Sequence, residues 1–175
     1  MAYIGLPYYG YCPITVTTND DGTETESMGT GKITRAVISY AGENDSDSGS
    51  PSAKLTIDRS FLSLEDEAEL GGHHYDASTK TLERKETDTP AIVRVAALGK
   101  LKTPERKQVY RMIGYYRASF DPVSDTLNTA TKSVSYGTTK LNGAAECNCD
   151  GNFEKKQEFD DYAKNAVAGQ RAGRL

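Results

Sequence analysis

The sequence PSAKLTIDRSFLSLEDEAELGG, residues Pro51–Gly72, decides the fold prediction because its periodicity changes within one short stretch. Leu55 and Ile57 alternate with polar residues, which is typical of a strand with one buried face. The run that follows, Leu64–Gly71, is acidic and has the length of one short helix. We therefore predict a strand, a short helix and a glycine turn, in that order.

The ends of this predicted helix carry residues that are suited to capping. Ser63 precedes the first helical residue, and its hydroxyl can accept a hydrogen bond from a backbone N–H that has no partner within the helix. Glu65, Asp66 and Glu67 place negative charge at the positive end of the helix dipole. We expect Gly71 to adopt the left-handed conformation that ends the helix.

The length, composition and charge of the chain limit the classes of protein to which it could belong. The chain has 175 residues, of which 37% are hydrophobic, and a formal net charge of -4; its mean hydropathy is -0.61 and its pI about 5.3. This length suits one domain with a modest core. The negative charge disfavours nonspecific binding of nucleic acid through a broad basic surface. No run is long and apolar enough to span a bilayer, and residues 1–11 lack the positive charge of a secretory signal.

Tyrosine and cysteine usage narrow the class further. The chain has 11 Tyr, 4 Phe and no Trp. Tyrosine suits surfaces that become buried on assembly, and it also favours strands, so both interpretations stay open. An odd count of 3 Cys disfavours a disulfide framework, and Cys147 and Cys149 are too close in sequence for an unstrained bridge.

Alternation and β-branched residues predict further strands. These segments are Cys12–Thr18, Lys32–Tyr40, Ala91–Leu98, Val109–Phe120 and Lys132–Tyr136. In the most regular of them we expect alternate positions from Tyr110 to Phe120 to share one face. Residues 19–22 predict a turn, and Asn142-Gly143 is typical of a hairpin turn.

Two segments differ from this pattern. Ala41–Ser52 is polar and has no apolar residue to anchor it, so we expect a loop that is mobile in an isolated subunit. Phe153–Ala168 has apolar residues three and four positions apart, among them Phe159 and Tyr162, which predicts a helix. The fold prediction is a mainly β (α+β) domain, a sandwich or barrel with a short internal helix, over residues 1–152. Residues 153–175 would form a C-terminal helix and tail, packed on the same domain or on a neighbouring subunit.

Candidate chemical motifs are incomplete. Gly29–Lys32 lacks the first glycine of a phosphate-binding loop and the Ser or Thr that should follow the lysine. Asp45 and Asp47 begin like a calcium loop, but the required glycine and the final glutamate are missing. His73 and His74 are adjacent, whereas zinc sites show spaced ligand pairs. We therefore assign no cofactor, no metal and no catalytic residue, and expect a protein that is not an enzyme.

Arginines and tyrosines recur together in the second half of the chain. They are Arg94, Arg106, Arg111 and Arg117 with Tyr110, Tyr115 and Tyr116. Such a set could form a basic aromatic face for single-stranded nucleic acid. The negative net charge favours a different interpretation, in which the arginines pair with acids of a neighbouring strand or subunit.

The order of these segments resembles that of the major tail tube proteins of long-tailed (siphovirus-type) bacteriophages. The most specific match is the middle unit, in which a strand leads into an acidic helix that closes with leucine and glycine, as in Leu64-Glu65-Asp66-Glu67-Ala68-Glu69-Leu70-Gly71. The remaining matches, in chain order, are Ile4-Gly5-Leu6 with Tyr8-Tyr9, Ala91–Leu98, Tyr110–Phe120 and Gly143–Gly151. The resemblance covers residues 1–153 and excludes the predicted C-terminal helix and the Cys147/Cys149 pair.

That resemblance implies a structural virion protein. In this family, homo-hexameric rings stack into a tube whose inner wall is a β-barrel shared between subunits, with helices outside. Viral DNA passes through the channel without sequence-specific binding, and a mobile loop joins one ring to the next. The implied partners are the tape measure, terminator and baseplate hub proteins. The implied location is the virion, after assembly in the host cytoplasm, with no membrane and no cofactor.

We assign candidate contact residues on this basis. The candidates for the ring-stacking loop are Gly42, Glu43, Asn44, Asp45, Asp47 and Ser48. The candidates for the subunit interface are Tyr110, Arg111, Tyr115, Arg117, Phe159 and Tyr162. Two alternatives stay open, because one scaffold can host many roles. They are another tail component, such as a terminator or a baseplate hub part, and a soluble β-sandwich module that binds carbohydrate or peptide.

Overall fold

A computed structural model describes residues 2–34, 37–45, 50–105, 107–123 and 138–159. Within these ranges the chain forms eleven strands and one helix, which confirms the prediction of a mainly β fold. The elements are β1 (Ala2–Thr18), β2 (Glu24–Met28), β3 (Lys32–Thr34), β4 (Val37–Asp45), β5 (Ser52–Arg59), α1 (Leu64–Gly71), β6 (His74–Asp76), β7 (Thr81–Glu83), β8 (Val93–Lys102), β9 (Gln108–Phe120), β10 (Thr139–Glu146) and β11 (Glu154–Phe159).

Nine strands form one antiparallel sheet. Its main order is β2-β1-β8-β9-β10-β5-β4, with β3 also paired to β1 and β11 also paired to β9. β6 and β7 form a separate hairpin. β3 and β4 follow each other in the chain but pair at opposite ends of this order, and Cα atoms of β4 come within 8 Å of β1. The sheet therefore curls so that its two ends approach each other.

The main core fills the inner face of this curled sheet and the contact with α1. Its buried residues are Tyr9, Tyr11, Ala53, Leu55, Ile57, Leu70, Val93, Val95, Tyr115, Ala118, Phe120, Val123, Leu141 and Ala145. Leu55 and Ile57 are 1% and 0% exposed, which confirms the alternation that the sequence predicts for β5. Full burial of such a side chain contributes about 1.5–3 kcal/mol, so this strand is a main source of stability.

The predicted helix is present, and one of its predicted ends is wrong. Ser63 Oγ accepts a hydrogen bond from the Asp66 N–H at 3.1 Å, as expected of an N-cap. Gly71 is the last helical residue, and Gly72 is the left-handed one, with φ +68°. A Cβ on Gly72 would lie 1.9 Å from the carbonyl oxygen of Thr89, so both the backbone conformation and the neighbouring chain require glycine here.

A β-bulge overturns the prediction that alternate positions of β9 share one face. Val93 pairs with Ala118 and Val95 with Tyr115, so β9 has one residue more than β8 across this interval. Such an extra residue shifts the alternation. Met112 therefore packs in a second cluster on the opposite face of the sheet, which we call the outer face, whereas Ala118 lies in the main core.

The first half of the chain has more strand than the sequence predicts. β1 begins at Ala2, and register shifts between Tyr3 and Tyr8 accommodate its irregular N-terminal part. The predicted strand Lys32–Tyr40 is divided between β3, which pairs with β1, and β4, which pairs with β5. β2 was not predicted, because its sequence ETESM has no apolar alternation.

The predicted hairpin turn at Asn142-Gly143 is wrong. Both residues lie inside β10, and Gly143 pairs with Leu55 on one side and with Phe120 on the other. A Cβ on Gly143 would lie 2.3 Å from the carbonyl oxygen of Ser119. This glycine therefore permits a close approach of two strands and does not mark a turn.

The C-terminal helix prediction is wrong for residues 154–159. This segment is β11, and all six of its residues pair with residues 110–115 of β9. The ladder with β9 satisfies backbone groups that a helix would have satisfied internally, so tertiary pairing overrides the local apolar spacing. The rest of that prediction, with Tyr162, and the predicted strand Lys132–Tyr136 lie outside the described residues.

Candidate functional site

Four strands of the sheet pair on one side only among the residues that the structure describes. β2 and β3 pair with β1 alone, β4 with β5 alone, and β11 with β9 alone. Backbone groups along such an edge can add another strand. β3 has three residues, and Cα atoms of β4 come within 8 Å of β1, so we take the edges of β2 and β11 as the candidate site.

The hydrogen-bond pattern identifies which backbone groups face outward from β11. The Tyr116 N–H donates to the Phe153 carbonyl at 3.1 Å, which marks a hydrogen-bonded pair in the β9–β11 ladder. Hydrogen-bonded positions alternate along an antiparallel strand. Glu154, Lys156 and Glu158 therefore direct their N–H and C=O groups away from β9.

The backbone groups of β2 alternate in the same way. The Gly29 N–H donates to the Pro13 carbonyl at 2.8 Å, and this pair continues the β1–β2 ladder. Alternation then directs the backbone groups of Glu24, Glu26 and Met28 away from β1. Each edge thus offers three outward-facing residues over the same length of strand.

Ion pairs hold the β2 end of the sheet together on the outer face. The bulge in β9 places Tyr116 and Arg117 on this face, and Arg117 Nη1 lies 3.5 Å from Glu24 Oε2. Arg94 Nη2 lies 3.6 Å from Glu26 Oε2, and the Arg94 guanidinium lies 5.3 Å from the centre of the Tyr116 ring. β2 is thereby fixed to β8 and β9 across β1.

These pairs decide between the two interpretations of the arginines. Arg94 and Arg117 pair with acids of β2, and Arg111 Nε donates to Glu158 Oε1 of β11 at 2.9 Å. The interpretation that the arginines pair with acids of a neighbouring strand is confirmed for Arg111, since β11 lies beside β9. Arg94 and Arg117 pair with acids of the same sheet, but on β2, which is not adjacent to β8 or β9. Arg106 lies outside the described residues.

The predicted interface residues occupy different places. Arg111 and Arg117 form the pairs just described, and Phe159 packs half-buried against Met112 and Ala96 on the outer face. Tyr115 is 2% exposed and lies in the main core, so the folded chain does not present its side chain to a partner.

Tyr115 packs against Phe153 and has a raised pKa. Its ring contacts Phe153 edge-on, with ring centres 5.4 Å apart. Burial, and secondarily the Glu154 carboxylate, raise the pKa of Tyr115 to about 12. This side chain is therefore part of the packing that holds β11 to β9. Tyr110 pairs with Phe159 in the β9–β11 ladder.

The predicted ring-stacking loop is partly a strand. Gly42, Glu43, Asn44 and Asp45 belong to β4 and pair in register with residues 52–55 of β5. The expectation of a loop is wrong for these four residues, because pairing with β5 compensates for the absence of apolar side chains. The remaining two candidates, at positions 47 and 48, lie outside the described residues.

A network of polar side chains attaches α1 to the sheet, and sequence analysis did not identify it. The Tyr11 hydroxyl lies 2.9 Å from Asp66 Oδ1 and 2.8 Å from Glu69 Oε2. Lys32 Nζ lies 2.7 Å from Glu69, and Arg59 Nη2 lies 3.3 Å from Asp66. Burial, followed by the hydrogen bond to Glu69, raises the pKa of Tyr11.

One signal in the sequence could have revealed this network. Arg59 is 2% exposed and continues the buried alternation of Leu55 and Ile57 on β5. A buried arginine requires an acid. The acidic run of α1 directly follows it, so Asp66 stabilises Arg59 in addition to its favourable position in the helix dipole.

A cleft of about 250 Å³ lies over β9 and β10. Small side chains, loop residues and a charged pair line it: Ala118, Ser119 and Ala144; Thr89, Pro90 and Ile92; Arg117 and Glu146. Its lining is mostly apolar, and Arg117 and Glu146 are the charged residues in it.

The cysteines and histidines do not converge on a common site. Cys12 is buried, with Sγ 3.2 Å from the Gly29 carbonyl oxygen, and burial raises its pKa. His73 Nδ1 lies 2.9 Å from Asp88 Oδ2, whereas His74 is exposed in β6. Across the described ranges, no group of three or more His, Cys, Asp or Glu side chains could hold a metal ion. Nor is α1, the one helix described, long and apolar enough to cross a membrane.

Comparison with known proteins adds no assignment. No protein-family model matches this chain, and no curated protein matches it.

Proposed function

We propose that this chain is a structural subunit of the tail tube of a long-tailed bacteriophage. Copies form hexameric rings, the rings stack, and viral DNA passes through the channel. The order of the sequence matches supports this proposal, as does the curled antiparallel sheet with one short helix packed on it. The observation that carries it is the pair of equally long, outward-facing edges on β2 and β11.

Two different edges on one chain favour a ring. Pairing the β11 edge of one copy with the β2 edge of the next is a head-to-tail contact, which closes when the rotation between copies allows it. Each edge spans about 14 Å between its first and last outward-facing residues. The contact satisfies the backbone groups of both edges at once.

Both edges carry charged residues, but their charges do not select a partner. The carboxylates of Glu24 and Glu26 on β2 lie near Arg117 and Arg94 of the same chain. On β11, Lys155 and Lys156 stand between Glu154 and Glu158, so the charges of this strand balance. Charged side chains on an edge oppose uncontrolled aggregation, and the proposed contact therefore depends on backbone pairing.

We assign ring stacking to the β4–β5 hairpin. Its paired arms run from Ala41 to Thr56 and include the candidate residues of β4. A paired hairpin is better suited to reach a neighbouring ring than a free loop, because ordering it on contact costs less conformational entropy. The remaining candidates, Asp47 and Ser48, lie outside the described residues.

The negative net charge of -4 suits a channel for DNA. A lining rich in Lys and Arg would bind phosphates and slow passage. The arginines of the outer face support this view, since Arg94, Arg111 and Arg117 contact acids of their own chain. We propose accordingly that the protein is not an enzyme and that it assembles with the other tail proteins in the host cytoplasm.

A proline in β11 tests the edge directly. Lys156→Pro removes an outward-facing N–H and leaves the ladder with β9 intact, because the backbone of this residue points away from β9. We expect wild-type protein to form tubes of constant diameter on concentration, seen by negative-stain microscopy. The proline variant should keep its melting temperature within a few degrees and form neither rings nor tubes.

Lys156→Ala is the matched control. It loses the same side chain, including the 2.8 Å pair with Glu154, but retains the N–H. We expect tubes from this variant. Tubes from the proline variant would exclude the β11 edge as the ring contact. A wild-type chain that stays monomeric at high concentration would favour a soluble binding module, and rings that never stack would favour a tail terminator.

A further inference from the structure

One large apolar side chain stands out on the described surface. Phe61 is 66% exposed, in the segment between β5 and α1. Leu64 and Met28 are each 43% exposed, and among the described residues these three are the exposed large hydrophobic side chains. Phe is among the aromatic residues that are enriched in protein interfaces relative to the rest of the surface, so Phe61 is a candidate contact residue.

The cleft over β9 and β10 has the size for one side chain. Its volume of about 250 Å³ is below the range of pockets that hold drug-sized ligands, which begins near ~300 Å³. Pro90, Ile92 and Ala144 give it apolar walls, and Arg117 also lines it. A guanidinium stacks on aromatic faces. The lining therefore favours an aromatic ring over an aliphatic side chain.

Phe61 cannot reach the cleft of its own subunit. Arg59, two residues before it, pairs with Thr139, whereas Ala53 pairs with Ala145 at the cleft end of β10. Six residues of strand separate these positions, about 20 Å. Phe61, which we call the knob, and the cleft therefore lie toward opposite ends of the same strand. Insertion of the knob into the cleft requires another copy of the chain.

We propose that Phe61 of one copy inserts into the cleft of the next copy, and that this contact stacks subunits along the direction of β10. A knob and a cleft at opposite ends of one chain make a head-to-tail contact that repeats without closing. The inference deepens the proposed function, on which it rests for the existence of rings. It adds a second stacking contact to that of the β4–β5 hairpin, and this contact is separate from the β2 and β11 edges that close the ring.

Two variants test the contact from its two sides. Phe61→Ala removes the knob, and Ala144→Leu fills the cleft from an exposed position of β10. We expect both to retain the wild-type melting temperature and to form rings, while tubes shorten at least tenfold in negative-stain images. Leu64→Ala is the matched control, since it removes an exposed apolar side chain next to the knob. Its tubes should match those of the wild type.

A photo-crosslinking residue in place of Phe61 locates the partner. Assembly from an equal mixture of ¹⁴N- and ¹⁵N-labelled chains, followed by mass spectrometry, should give mixed-isotope crosslinks to peptides that contain residues 89–92, 117–119 or 144–146. Crosslinks elsewhere, or normal tubes from Phe61→Ala, would overturn this contact and leave the proposed function standing. A wild-type chain that never self-associates would overturn both.

Discussion

The α1 side of the sheet and its β2 and β11 edges satisfy their polar groups in different ways. At α1, side chains of one chain complete the network, in which Tyr11, Lys32 and Arg59 contact acids of the helix. At the two edges, backbone N–H and C=O groups face outward, and another strand is what can pair with them. The first region should therefore determine the stability of the subunit, and the second its assembly.

The largest effect on stability should come from Arg59→Ala. The side chain is 2% exposed, and its removal leaves a cavity and deprives Asp66 of a charged partner. We expect the free energy of unfolding to fall by about 3–5 kcal/mol, measured by urea denaturation. Lys156→Ala on the β11 edge should change it by less than ~0.5 kcal/mol.

Arg59→Met separates the contribution of the ion pair from that of packing. It retains most of the volume and removes the charge, so the cavity contribution disappears. If methionine lowers the free energy of unfolding as much as alanine does, the ion pair makes the larger contribution to stability. If methionine lowers it much less, packing makes the larger contribution. A loss below about 1 kcal/mol for Arg59→Ala would contradict the assignment of subunit stability to this network.

A pair of tyrosines on β1 gives the next largest effect. The Tyr11 hydroxyl contacts two helix acids, whereas the Tyr9 hydroxyl is buried without a hydrogen-bond partner in the described part of the chain. We expect Tyr11→Phe to lower the free energy of unfolding by about 1–3 kcal/mol, measured by urea denaturation, because two partly buried carboxylates each lose a hydrogen-bond donor. Tyr9→Phe should be neutral or stabilising. Equal losses in both variants would show that the network does not distinguish them.

The sequence predicts those parts of the fold whose determinants are local. Alternation over Leu55 and Ile57, the Ser63 cap and the length of α1 all depend on residues within one element. They are therefore readable from neighbouring positions. The left-handed glycine was misplaced by one residue because the choice of Gly72 depends on the approach of Thr89, which is distant in sequence.

The wrong predictions share a non-local cause. The bulge in β9 depends on its register with β8, and no local pattern marks it. Residues 154–159 have helical spacing, yet pairing with β9 makes them a strand. Gly143 looks like a turn residue, but it is needed where β10 approaches Ser119. β2 carries a buried side chain that is charged, Glu26, so hydrophobic alternation cannot reveal it.

The candidate site follows the same division. Composition and the acidic balance are sequence properties, so they could be used before the fold was known. The outward-facing groups of β2 and β11 depend on which strands pair, and the cleft depends on loop residues Thr89 and Pro90 meeting Ala144 of β10. Neither could be located from the sequence alone.

The smallest effect we predict is a change with pH in the stability of the α1 side of the sheet. Asp88 Oδ2 accepts a hydrogen bond from the Lys85 N–H at 2.8 Å and lies 2.9 Å from His73 Nδ1. The first contact and then the second lower the pKa of Asp88. A lowered pKa means that the folded state favours the carboxylate. The stabilisation is therefore complete above the unfolded value near ~3.9 and is lost as the pH falls through the lower folded value.

Asp88→Asn tests this sign, because asparagine has no carboxylate to protonate. We expect its melting temperature to be a few degrees below that of the wild type at pH 5, and the two curves to converge toward pH 2.5. Lys156→Ala should follow the wild type over the whole range, since it does not touch this contact. A constant difference between Asp88→Asn and the wild type would mean that the loss is one of packing. The stability of the α1 side of the sheet would then depend on packing at Asp88 and not on its charge.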